Sequence, residues 1–139
     1  MQSFNIKIEG FWRDERKRGI PSYSGVFFVY ECKYDRAPGT ISLLLIIYVG
    51  EAENINERIA DHPRYQEWKS FLREGNELCF SAANVPVAHR TQVKAAFIHR
   101  FQPIANKDYK DEFRFEDTTI QATGMTNLLL SNFIVFHKQ

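Results

Sequence analysis

Five apolar residues in succession, Leu43-Leu44-Leu45-Ile46-Ile47, lead into Tyr48-Val49-Gly50 and then a polar segment that starts at Glu51. The run has no helical period. Such a stretch suits a central strand covered on both faces, because only there can every side chain leave water. Gly50 is expected to take a positive φ for a sharp exit from that strand. The polar segment leads into a short helix in which Ile55 and Ile59 share a buried face. Arg58 and His62 are one helical turn apart, so both project from the same side. A tyrosine at a strand end is thereby set against a guanidinium and an imidazole. This is the candidate site.

On the N-terminal side, Phe4 to Glu9 alternates as a strand, followed by Gly10. Trp12 to Arg18 carries four cations against two acids. It reads as a solvated loop or turn, with a phosphate-contacting patch as the alternative. Ser24 to Cys32 forms the next strand, and Pro38-Gly39 returns the chain into the Leu43 strand as an antiparallel pair. Beyond Pro63, a helix from about Arg64 to Arg73 is ended by Gly75. Tyr65, Trp68 and Phe71 read as core, with base stacking as the alternative. Leu78, Phe80 and Ala82 alternate in a further core strand. A long helix then starts near Asn84 and Pro86, buries Val93, Phe97 and Phe101, and stops at Pro103. The tail from Phe113 onward reads as extra strands paired with the N-terminal one. The fold class expected is α/β (α+β): a small antiparallel central sheet flanked by helices, within a single domain spanning 1–139.

A net charge of +1 falls short of the strongly basic balance that would by itself indicate nucleic-acid binding. Its distribution is less even. Between Leu78 and Lys107 there is no Asp or Glu, while Arg90, Lys94, Arg100, His89 and His99 are present. If these cations share one helix face beside Arg58 they form a local positive surface; otherwise the segment is simply apolar. Cys32 and Cys79 stand alone, without Cys-x-x-Cys spacing, and read as reduced thiols in a cytoplasmic protein. The start, MQSFNIKIEG, lacks the layout of a signal peptide, and the apolar run at 43–49 is too short to span a bilayer.

Taken together, these segments resemble the GIY-YIG nuclease superfamily. Gly25-Val26-Phe27 corresponds to the first half-motif and Tyr48-Val49-Gly50 to the second. The family's arginine falls on Arg58 and a common histidine on His62. The closing helix corresponds to Lys94-Ala95-Ala96-Phe97-Ile98, followed by Pro103-Ile104-Ala105-Asn106. The resemblance covers about residues 24–106, leaving the N-terminal strand and loop 1–23 and the β-rich extension 107–139 outside it. It implies metal-assisted phosphodiester hydrolysis, with a tyrosine activating water, an arginine on the scissile phosphate and a glutamate on a divalent cation. The implied partner is nucleic acid, DNA favoured over RNA; nothing implies a membrane or fixes the oligomeric state.

Two positions depart from the family pattern. Phe27 replaces the first tyrosine and loses its hydroxyl. Lys94 stands where the family has the metal-binding glutamate. An ammonium about 4 Å from a divalent ion is repelled by roughly 8 kcal/mol at an effective dielectric near 20, so that metal site is not expected to form. Mg²⁺ or another divalent cation is expected only if the chain is catalytic, and no metal ligand is assigned. Lys94, Arg90 and Arg100 are instead candidate phosphate contacts. Lys94 has a second reading, as a stem snorkelling at the core edge. Tyr48 is either catalytic or a packed ring; His62 is either catalytic or a helix C-cap. Asn106 reads as part of a helix stop.

Overall fold

The computed structural model describes residues 1–138. Six strands form one sheet: β1 (Gln2–Arg13), β2 (Gly25–Asp35), β3 (Thr40–Ala52), β4 (Glu77–Asn84), β5 (Thr118–Gly124) and β6 (Asn132–Val135). The helices are α1 (Ile55–Ala60), α2 (Tyr65–Ser70) and α3 (Val87–Phe101), with a 3-10 turn over Asp14–Gly19. Strand order is β3-β2-β4-β1-β5-β6. β2 and β3 form the expected hairpin, and β4 pairs antiparallel with both β2 and β1. The tail does join the N-terminal strand, but β5 runs parallel to β1 from Gln2↔Thr118 to Ile8↔Gly124. The sheet is therefore mixed, which corrects the antiparallel expectation. The intervening α3 and the loop after it carry the chain across the sheet before β5 begins, as a parallel neighbour requires.

The apolar run lies at the sheet's edge, not its centre. The strands buried along most of their length are β2, from Gly25 to Cys32, and its neighbour β4, from Leu78 to Ala83. β3 can be apolar throughout because both faces of the sheet are covered and because two bulges break its alternation. Val29 pairs with Tyr48 and Tyr30 with Ile46, which leaves Ile47 as an extra residue; Leu44 is skipped in the same way. Leu44 is accordingly 42% exposed. At the first bulge Ile47 and Tyr48 turn to the same face, an outcome alternation alone forbids.

Each face has its own core. Val26, Phe28, Tyr30 and Val49 pack under Val93, Ala96 and Phe97 of α3, joined by Phe4, Ile6, Ile120 and Phe133 from the outer strands. On the opposite face Phe27, Val29, Ile47, Phe80 and Ala82 pack under Ile55 and Ile59 of α1 and Trp68 of α2. α3 ends where expected, with Gln102 left-handed at φ 52 and its N–H returned to Ile98. No helix of the described residues is long and apolar enough to cross a membrane.

Candidate functional site

Phe27, Tyr48, His62 and Trp68 form an aromatic cluster on the α1/α2 face, with all ring centroids between 4.4 and 6.4 Å apart. Both glycines of the half-motifs are demanded by close approach. A Cβ on Gly50 would lie 2.4 Å from the tip of the Phe27 ring, and one on Gly25 would lie 1.9 Å from the Ala83 carbonyl oxygen. Gly50 is not among the positive-φ residues, and β3 continues past it to Ala52, so the expected sharp exit is absent. The fully buried Phe27 ring occupies the space a Cβ would need.

His62 is 6% exposed. Its Nδ1 accepts the backbone N–H of Arg64 at 3.1 Å, so it caps the start of α2 and not the end of α1. Burial first, then the nearby charges of Arg58 and Arg64, lower its pKa to about 4. The ring is therefore neutral near pH 7, with its proton on Nε2, able to donate but not to take up a proton through Nδ1. Arg64, which the sequence reading did not single out, lies 4.9 Å above the Tyr48 ring and bonds the Glu67 carboxylate and the Ala105 carbonyl. Arg58 is different. It is exposed, and among the described residues its guanidinium makes no ion pair or hydrogen bond.

Arg58 forms one wall of an open groove of about 880 Å³ shared with Ser22, Glu51, Glu53, Asn54, Glu57 and Asp61. His62 and Tyr48 do not reach this groove. His62 opens instead on a smaller depression beside Lys17, Asp61 and Tyr65. The three residues expected to act together are thus neighbours around the end of α1, but only the Tyr48 and His62 rings are in direct contact, at 5.7 Å.

On the opposite face, α3 sets Arg90, Thr91 and Lys94 against the end of β3. Lys94 Nζ lies 3.3 Å from Glu51 Oε2, and Arg90 Nε lies 3.6 Å from Glu51 Oε1. The Thr91 hydroxyl donates to Glu51 Oε1 at 3.0 Å, and Arg90 donates to Ser24 Oγ at 3.0 Å. Glu51 was legible only as one of several acids near the motif. What makes it central is contact with a helix 40 residues away. Arg100 stands apart from this cluster, in a shallow pocket with His99 and Ile134 to Phe136. The acid-free window therefore makes no single positive face. His89 packs on Phe4, His99 meets the Tyr109 carbonyl, and Lys107 lies among Asp108, Asp111 and Glu112.

Asn106 is not part of a helix stop. It is 7% exposed, and its side chain clamps the edge of β3: Oδ1 accepts Val49 N–H at 2.9 Å and Nδ2 donates to Val49 C=O at 3.0 Å. With Ala105 N–H bonded to the Ile47 carbonyl, this segment serves as a partial seventh strand behind Tyr48. Trp12 to Arg18, read as loop or phosphate patch, pairs largely with its own surroundings: Arg13 with Glu77 and Glu15, Lys17 with Asp14. Cys32 and Cys79 are buried free thiols.

No family model, curated protein or solved structure matches this chain. The divalent-metal site implied by the resemblance does not fit the residues present. Among the described residues no three His, Cys, Asp or Glu side chains converge as metal ligands, and the α3 position is filled by an ammonium already paired with Glu51.

Proposed function

We propose that this chain is a GIY-YIG-like domain that faces a nucleic-acid phosphodiester and binds it without the family's metal-dependent hydrolysis. The observation that carries the reading is Arg58: an exposed guanidinium without a partner among the described residues, on the wall of an open groove of about 880 Å³, beside a buried neutral His62. A free guanidinium fork matches the paired oxygens of a phosphate. Glu53, Glu57 and Asp61 line the same groove and oppose a long polyanion track, so contact is confined to one or two phosphates. Hydrolysis by the family route lacks its cation, for the reasons given by Lys94.

A fluorescence-anisotropy titration of labelled duplex DNA, single-stranded DNA and RNA against KCl tests this. With one or two phosphates neutralised, the slope of log K against log salt should be about −1 to −2. Arg58→Ala should weaken binding at least about fivefold, the scale of one lost charged hydrogen bond. Added Mg²⁺ or Mn²⁺ should produce no cutting. Absence of binding to all three probes at low salt sinks the reading. Cutting that disappears in Arg58→Ala would make the protein a working nuclease.

A second reading, a protein-interaction module on the same fold, is favoured by the exposed apolar side chains near the outer edge: Met125, Leu128, Leu130, Ile134 and Phe136. Binding of that kind would be insensitive to salt and to Arg58.

A further inference from the structure

We propose that Lys94 is a built-in cation standing in for a divalent metal, with its carboxylate partner moved from α3 to Glu51 at the end of β3. The inference takes from the GIY-YIG-like reading the position at which a metal ligand would be expected; its test is independent of nucleic acid. The geometry is that of a closed charge cluster. Arg90 and Lys94 lie one turn apart on α3 and reach the two oxygens of one carboxylate, while Thr91 donates to it from between them. All three charged side chains are mostly covered, with 16%, 22% and 20% of Arg90, Lys94 and Glu51 exposed. Glu51 Oε2 and Arg90 Nε are shielded from solvent yet lack a well-formed hydrogen bond. They are held by charge and not by directional bonding.

The cluster sums to one positive charge, so it repels an added divalent cation, and the one carboxylate within it already faces two cations. Glu51 also lines the Arg58 groove. It therefore joins the two faces of the sheet through the end of β3, and Lys94 determines the charge it presents there. Replacing the ammonium with a carboxylate would reverse the sign of the cluster even with Arg90 in place, and would set two acidic groups beside the Thr91 hydroxyl, hard oxygen ligands that suit Mn²⁺ or Mg²⁺.

The test is Mn²⁺ binding by the full chain, followed through loss of the free-ion electron paramagnetic resonance signal. Wild type should show no saturable uptake. Lys94→Glu should gain affinity by at least about tenfold, because ligand charge count sets affinity at oxygen sites. Lys94→Gln, which keeps the stem and supplies a neutral oxygen, should fall between them and serves if Lys94→Glu does not fold. Adding Glu51→Gln to either variant should abolish the gain. Saturable wild-type binding that Glu51→Gln removes would overturn the proposal. So would a folded Lys94→Glu or Lys94→Gln that takes up no more Mn²⁺ than wild type.

Discussion

The two faces of the sheet handle polar groups in opposite ways. Around Tyr48, the α1/α2 face buries an imidazole among aromatic rings and leaves its cation, Arg58, at the surface without a partner among the described residues. Around Glu51, three residues along the same strand, the α3 face gathers two cations, a carboxylate and a hydroxyl within ion-pair reach of one another. Burial without a counter-charge keeps His62 neutral, whereas the partly covered Glu51 and Lys94 face one another at 3.3 Å. The face around Tyr48 thus presents an exposed guanidinium beside a neutral ring, and the α3 face holds two cations against a single carboxylate and keeps a net positive charge.

The largest effect that tests this contrast is removal of the ring that excludes water from the first face. Trp68→Ala should lower stability by about 3–5 kcal/mol, the range for truncating a fully buried large aromatic. It should also let the His62 pKa rise from about 4 toward its usual 6.5, read by NMR titration of the imidazole in a variant kept folded at low temperature. An unchanged His62 titration would mean that Arg58 and Arg64, and not burial, hold the ring neutral.

Acid should distinguish the faces next. Because His62 titrates near 4 when folded and near 6.5 in the open chain, the unfolded state takes up its proton first as pH falls. That contribution is complete above pH 6.5 and disappears between 6.5 and 4, a loss of about 3 kcal/mol. Denaturant midpoints across this window should decline steeply in wild type and hardly at all in His62→Phe. Glu31, buried on the same face and held down to about 2 by Arg73 and Asn76, acts only below pH 4.5 and leaves the His62 window clear.

The smallest effect belongs to the charge cluster. Glu51→Gln keeps the shape and the Thr91 contact but removes the counter-charge of two partly covered cations. A destabilisation of about 1 kcal/mol that shrinks in high salt is expected, measured by thermal unfolding. The His62 window should remain where it was. A shift of that window by Glu51→Gln would show that the two faces are electrically coupled through the end of β3.

Much of the architecture was legible from local pattern. The β2–β3 hairpin, the Ile55/Ile59 face of α1, Trp68 as core and the span of α3 all follow from periodicity and from proline and glycine punctuation, signals that act over a few residues. The candidate site was legible only in part. Spacing predicted Arg58 and His62 on one helical turn, but α1 ends at Ala60, so His62 lies outside it against Trp68 and Phe27 while Arg58 faces solvent. Arg64 gave no local signal and Glu51 stood only as one of several acids near the motif, since each acquires its role from a distant strand or helix.

What the sequence by itself determined was therefore the set of elements, their order and the residues able to form a core. The tertiary structure alone decided that the apolar run lies at an edge, where two bulges interrupt its alternation and leave Leu44 exposed. It also decided that β5 enters parallel to β1, that Asn106 closes the strand behind Tyr48, and that Lys94 finds Glu51. Each of these depends on a partner far along the chain, 57 residues away for Asn106 and Val49. Side-chain periodicity reports which face a residue prefers, but it carries no information about what that face will meet.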